Sequence, residues 1–325
     1  MGSKKKSKPS RSKKKPRTSA DQALALDYVR AWAQPAPPLP EPSAADADAD
    51  DFLPAPVARS GGDVLFELHS HSNHSDGFLS PSALVERAHR NGVKVLALTD
   101  HDTMAGIPEA VSAASKFGMR IIPGVEISAL YNPRGSEPFA ETVVQLISRT
   151  GGISALAHPW SLKNPDAIIR SLKGAGLNGM EVYRSDGKVD GFNELAEKYG
   201  LLKLGGSDFH GRGGKDESDI GTVKLAITTL CCFLKMARPI WSAAMKDILL
   251  KFAEEPSSAN LRNMLKFGRL TNVDGFSPIN TGIDVVHFCL SSWLSNEDME
   301  DVELEEVRLK LAHYATERWH RLHRS

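Results

Sequence analysis

What most limits how this chain can fold is a rhythm. Over roughly residues 64–230, short apolar runs alternate with helix-like segments. Residues 64–70 alternate apolar and polar side chains and read as a first strand, and 93–98 (VKVLAL) reads as a buried one. Further strands are expected at 120–125, 153–157, 179–183 and 201–205, with 223–229 as a seventh. Helices are expected between them. One starts at Ser80-Pro81, with Ser as cap and Pro in the first turn, and ends at Asn91-Gly92. The others span 106–117, 141–149, 165–173 and 189–199. Strand and helix alternating at this spacing imply parallel β-α units in an α/β fold, and six or seven units favour a barrel over an open sheet.

The flanks have a different character. Residues 4–17 hold nine Lys or Arg and no acid, whereas Asp46, Asp48, Asp50 and Asp51 cluster further on, so the formal net charge of +0 hides an asymmetry. A short helix is expected at 23–33, and the Pro, Ala and Asp-rich stretch 34–62 reads as a linker that cannot bury a core, so order should begin at Asp63. The expected division is therefore 1–62 as a disordered basic tail and linker, 63–230 as the α/β domain, and 231–325 as a helical C-terminal region. Helices are clearest there at 240–253 and 304–321. There is no apolar signal region and no run of about 18 apolar residues, so neither secretion nor a membrane span is expected. An intracellular protein of the nucleus or cytoplasm fits the basic tail, and a plastid address is a further reading. Three cysteines, Cys231, Cys232 and Cys289, without C-x-x-C spacing argue against disulfides and against a thiolate metal site.

The potential ligands fall at one recurring place. His69 and His71 close the first strand with Asp76 just beyond, Asp100-His101-Asp102 follows the second, Glu126 the third, His158 the fourth, and Asp208 with His210 the sixth. In a β/α barrel the C-terminal strand ends converge on one face, and alternate strand residues point the same way, so His69 and His71 can share that face. Imidazole and carboxylate donors suit zinc, manganese or iron, and several carboxylates suggest more than one ion. Taken singly, each element has a plainer explanation: Asp100 and Asp102 as helix caps, His158 as a structural residue before Pro. His89, His287, His313, His320 and His323 read as structural or surface residues, and His74 is not counted as a ligand.

HSHSNHSDG (residues 69–77), LTDHDT (98–103), PGVEIS (123–128), LAHP (156–159) and GSDFHG (206–211) together resemble the successive motifs of the PHP family, the polymerase and histidinol phosphatase superfamily. Within it the sequence is most similar to the TrpH/YciV-like branch of nucleoside 3′,5′-bisphosphate phosphatases and 5′-3′ exoribonucleases. The resemblance implies a distorted seven-stranded β/α (TIM-like) barrel with two or three divalent ions, commonly manganese. It places His69, His71, Glu126 and Asp208 around one ion, Asp76, His101 and His210 around another, and His158 with a bridging Glu126 at a third. One departure stands out. That branch carries an inserted helical segment and a further His ligand after the Glu motif, whereas residues 127–157 here contain no His. The third ion would lack a ligand and the site its lid.

The expected reaction is phosphoester hydrolysis by metal-activated water. His101, His158 and His210 are the candidates for a catalytic role beyond ligation, and Arg184, Arg212 and Arg134 are candidate phosphate contacts. The expected substrate is a nucleotide or a short single-stranded nucleic acid. Two other readings are a small-molecule phosphatase of the histidinol-phosphate kind and a catalytically weak metal- or nucleic-acid-binding protein.

Overall fold

A computed structural model describes residues 19–33, 64–131, 139–187, 191–214 and 217–255, with a few single positions beyond. The expected C-terminal helix at 304–321, residue Arg134, and His287, His313, His320 and His323 lie outside the described residues.

Helix α1 (Ala20–Ala33) is followed by six β-α steps: β1 (Leu65–Glu67), α2 (Pro81–Arg90), β2 (Val93–Leu98), α3 (Ile107–Lys116), β3 (Arg120–Pro123), α4 (Ala140–Arg149), β4 (Ala155–Leu156), α5 (Pro165–Ala175), β5 (Gly179–Tyr183), α6 (Phe192–Lys198), β6 (Leu202–Gly205) and α7 (Ile227–Glu254). Local chemistry explains several boundaries. The Ser80 side chain accepts the Ala83 N–H while Pro81 opens α2 without needing a donor. Gly176, at φ 113°, ends α5 in the left-handed conformation that glycine adopts cheaply.

The strands pair in parallel as two three-stranded sheets, β1-β2-β3 and β4-β5-β6. One seam between the sheets is stitched: Ser70 bridges Phe209, the His71 N–H donates to the Phe209 carbonyl at 2.9 Å, and the Asp208 N–H donates to the His69 carbonyl at 3.1 Å. Among the described residues no strand pairing joins β3 to β4, so the expected closed seven-stranded ring is not what these residues show. The expected seventh strand is also replaced. Residues 223–226 form no strand, and α7 begins at Ile227. The β-branched Ile227-Thr228-Thr229 suggests a strand, but Leu230, Cys231, Leu234 and Ala237 recur at helical spacing and are buried together.

The two faces of β2 explain the layering. Leu96 and Leu98 pack with Leu84, Val85, Ala110 and Ile121 under α2 and α3. Val95 and Ala97 face the other way and meet Phe66, Ile122 and Leu204 from the neighbouring strands, together with Leu230 and Leu234 of α7. Helix α1 belongs to this second core: Val29 and Trp32 are buried in it, and α1 lies along α7. Order therefore does not begin at Asp63. The N-terminal helix covers the strand core because its apolar residues, Ala25, Val29 and Trp32, fall on one side of a 3.6-residue repeat. No helix among the described residues is long and apolar enough to cross a membrane.

Candidate metal centre

The eight expected ligands all reach one face, the C-terminal ends of the strands, and they separate into two groups. His69, Glu126, His158 and Asp208 form the first, and His71, Asp76, His101 and His210 the second, with the ligand atoms of each group within 4.8 Å of one another. This regroups the expected ligand sets. His158 lies with His69, Glu126 and Asp208, its Nε2 3.3 Å from Glu126, and no further group of three or more such side chains occurs among the described residues. His71 stands between the groups: its Nε2 is 3.2 Å from Asp208 and 3.3 Å from Glu126, while its Nδ1 faces Asp76 at 3.8 Å.

Glu126 is the hub. One carboxylate oxygen lies 3.0 Å from His69 Nε2, 3.3 Å from His71 Nε2 and 3.6 Å from His101 Nε2, and the other lies 3.3 Å from His158 Nε2. Burial pushes the Glu126 carboxyl up, but the hydrogen bonds from His158, His69 and His71 outweigh it and hold the group far below the usual carboxylate range. Burial likewise raises Asp208, and His71 with the charges of His69, His158 and His210 brings it below its ordinary value. The imidazoles move the other way. Burial lowers His69, but Glu126 and Glu181 carry it well above 6.5. His71, lowered by burial and raised by Asp208 and Glu126, and His158, raised first by Glu126, also end above it.

This donor set fits a cation. The Nε2 atoms of His69 and His71 face each other at 3.0 Å beside the same carboxylate oxygen, so lone pairs converge where positive charge is needed. The buried Asp208 Oδ1 and His71 Nδ1 have no hydrogen-bond partner. In a protein interior such orphaned atoms are costly unless an ion or water satisfies them. The same carboxylates that would face a cation are what raise these imidazoles.

Three further carboxylates support the site, of which Glu67 and Glu181 were not singled out in the sequence. Glu67 of β1 is buried and accepts the backbone N–H groups of His69, Ser207 and Gly221, tying β1 to the segment after β6; burial raises its pKa against those bonds. Asp100, counted among the potential ligands with a helix cap as its plainer explanation, accepts the Ser72 N–H and hydroxyl at 2.6 and 2.7 Å and the Ser75 hydroxyl at 2.9 Å, which pins the loop between His71 and Asp76. Glu181 of β5 accepts from His69 Nδ1 at 2.7 Å and from the His158 N–H at 2.9 Å. A lone acid inside an apolar strand was the available signal for both Glu67 and Glu181.

Close backbone approach requires glycine twice. A Cβ on Gly77 would come within 2.5 Å of the His71 carbonyl, and one on Gly206 within 2.6 Å of the His69 nitrogen and against Glu67. Asp102, His158 and Asp208 hold φ values of 53, 48 and 54°, so three non-glycine residues at the site sit in the left-handed region.

The two candidate phosphate contacts among the described residues are engaged with acids. Arg212 pairs with Asp76 at 2.8 Å, and Arg184 pairs with Asp186 at 2.8 Å while its guanidinium lies 4.5 Å from the Trp160 ring centroid. Trp160 meets His158 edge-on at 5.4 Å. His74 is exposed and belongs to neither group. His89, expected at the surface, is half-buried and stacks on Phe117 at 4.5 Å. The chain on either side of residues 132–138 comes together where Leu130 bridges Phe139 and accepts the Ala140 N–H at 3.0 Å.

Residues 67–201 match the PHP domain model. Among curated proteins, a 5′-3′ exoribonuclease of Haemophilus influenzae is 57% identical over 70 residues, which are 22% of this chain and 26% of that protein. A 3′,5′-nucleoside bisphosphate phosphatase of Chromobacterium violaceum is 45% identical over 62 residues, 19% of this chain and 22% of that one. The match spans about a quarter of the length of each of these relatives. A solved amidohydrolase structure from Chromobacterium violaceum superposes with a TM-score of 0.44 and 22% identity, covering 50% of this chain and 92% of that one. Residues 67–201, which carry most of the ordered His, Asp and Glu motifs, are thus a match to the PHP domain.

Proposed function

We propose that this protein is a metal-dependent phosphoesterase that hydrolyses phosphate esters of nucleotides or of short single-stranded nucleic acid. The observation that carries this reading is the convergence of eight imidazole and carboxylate side chains from separate strand ends into two adjoining groups. The first group would hold one divalent ion through His69, Glu126, His158 and Asp208, and the second another through His71, Asp76, His101 and His210. Manganese, zinc or iron suits this mixture of nitrogen and oxygen donors. Bound there, such ions activate water and offset charge on the phosphoryl and leaving oxygens. In the surrounding architecture the two sheets act as opposite walls of a strongly distorted β/α barrel, within a domain that extends over about 63–230 and is covered by α1 and α7.

The protein's own groups set the rest. Glu126 faces histidines of both groups and so couples them. Asp76, at the open edge, pairs with Arg212, which places a cation where an incoming phosphate would arrive. Arg184, held against Trp160, offers a second cation near His158. His101, with side chain 37% exposed, is the imidazole best placed to exchange a proton with solvent or with a leaving oxygen. The nucleotide preference is supported by the exoribonuclease and bisphosphate phosphatase relatives, each alike over a short stretch.

The test is a manganese-supplemented assay of the full chain on a nucleoside 3′,5′-bisphosphate, a 5′-phosphorylated oligoribonucleotide and histidinol phosphate. Turnover of either nucleotide substrate, lost in His101→Ala, is expected. Turnover of histidinol phosphate alone would replace nucleotide specificity with small-molecule phosphatase activity. Absence of turnover on all three, with the metal bound, would sink the enzyme reading.

A further inference from the structure

Glu181 occupies a position that no ligand assignment explains. It is buried in the middle of β5, with 6% of its surface exposed, and no Lys or Arg pairs with it among the ion pairs of the described residues. Burying a carboxylate costs several kcal/mol unless donors satisfy it. Its donors are two histidines of the same group. One oxygen lies 2.7 Å from His69 Nδ1. The other accepts the His158 N–H at 2.9 Å and stands 3.6 Å from His158 Nδ1. Opposite, the Nε2 atoms of these two histidines face the two oxygens of Glu126 at 3.0 and 3.3 Å. His69 is thus held between Glu181 at Nδ1 and Glu126 at Nε2, and His158 between Glu181 at its backbone N–H and Glu126 at Nε2. His158 also holds a left-handed backbone at φ 48°, ψ 47°, a conformation an L-residue keeps only when its surroundings impose it. The bond from its N–H to Glu181 is such an imposition.

The second group has no counterpart. His71 Nδ1 is buried without a hydrogen-bond partner, and His210 Nδ1 is directed by the Asp208 carbonyl at 2.9 Å, not by a carboxylate. We propose that Glu181 is a positioning residue dedicated to the first group: it fixes His69 as the Nδ1–H tautomer and locks the turn at His158, so that both present Nε2 to one cation. A carboxylate behind a ligating imidazole fixes ring orientation and strengthens the ligand, and its loss commonly lowers metal affinity about 10- to 100-fold. The proposal rests on the two-group reading of the site, but its readout is metal binding, so loss of turnover with binding intact would count against the phosphoesterase reading alone.

The experiment titrates the metal-stripped full chain with Mn²⁺ and follows free Mn²⁺ by electron paramagnetic resonance. His69→Ala and His101→Ala assign the binding steps to the first and second groups. Glu181→Gln keeps the shape of the side chain but has one acceptor oxygen where two are needed. It is expected to weaken the first step roughly 10- to 100-fold and to leave the second within about threefold. A wild-type titration curve for Glu181→Gln, or equal weakening of both steps, would overturn the proposal. A readout on the unmodified chain covers the case in which the variant does not fold. The ¹⁵N imidazole spectrum of the metal-free protein at alkaline pH should show His69 as the Nδ1–H tautomer, and the Nε2–H tautomer there would refute it.

Discussion

The two ligand groups use the same kinds of side chain but are held by different means. The first is anchored from within: Glu181 braces two of its histidines, and Glu67 fixes the backbone that carries His69. The second is anchored from within on one side only, where buried Asp100 pins the loop between His71 and Asp76, and from the surface on the other. Its exposed member, Asp76, is held by the half-exposed Arg212, and the loop carrying His210 is held by Glu217, which accepts the N–H groups of His210, Gly211 and Gly213. Interior hydrogen bonds to a charge act in a low dielectric and resist rearrangement, whereas exposed ion pairs contribute little and yield easily. The first group is therefore held by interior bonds, and the second partly by exposed ones.

The contrast is tested most severely at the residue both groups share. Glu126→Ala should strip metal from both and lower phosphate release by at least about a hundredfold, beyond the usual cost of an outer-shell change. Metal analysis of the purified variant, read beside its kinetics, would refute the hub role if either group kept its ion. Gly206→Ala strikes the first group through its backbone, because the added methyl meets His69 and Glu67. Overpacking of this kind costs about 1–3 kcal/mol. A lowered melting temperature together with loss of the first metal-binding step is expected, and an unchanged melt would show that the β1–β6 seam can open.

Arg212→Ala probes the exposed side. Its pair with Asp76 is more than half exposed on the arginine side, so stability should change by less than about 1 kcal/mol. KM for a phosphorylated substrate should rise roughly tenfold, the effect of losing about 1.4 kcal/mol of phosphate binding. A change in kcat at constant KM would remove Arg212 from substrate binding. The smallest effect concerns acid. Arg87, bonded to Asp219, holds that carboxyl below 3.8, and backbone N–H groups hold Glu217 below 4.5 against a burial effect that raises it. Because both folded values are depressed, their stabilisation is fully present above the unfolded values and is lost as pH falls through the folded ones. Thermal melts from pH 6 to pH 2 should lose stability below about pH 4.5, and Asp219→Asn should flatten part of that limb. A limb unaltered by the substitution would exclude the Arg87–Asp219 pair as a contributor.

Much of this was legible in sequence because buried strands and polar strand ends contrast so sharply. VKVLAL and GMEVY span the strands Val93–Leu98 and Gly179–Tyr183 without adjustment, and a His, Asp or Glu just past such a run has few structural reasons to be there. What remained hidden depends on distances through space. The division of eight ligands into two groups rests on how His71 and His158 turn, which no spacing encodes. Glu181 and Glu67 lie inside strands, where an acid reads as an interruption and not as a brace. Ile227-Thr228-Thr229 has the composition of a strand, and only burial of the following Leu230 and Leu234 against the sheets decides for helix.

The packing of α1 across the strand core gives the chain's first helix a custodial part. A protein begun at Asp63 would retain every candidate ligand, yet it would bare the slot that Val29 and Trp32 fill against Phe66, Val95 and Ile122. Such an uncovered apolar slot invites self-association. The soundness of the centre thus depends on a segment more than thirty residues upstream that contributes nothing to the chemistry.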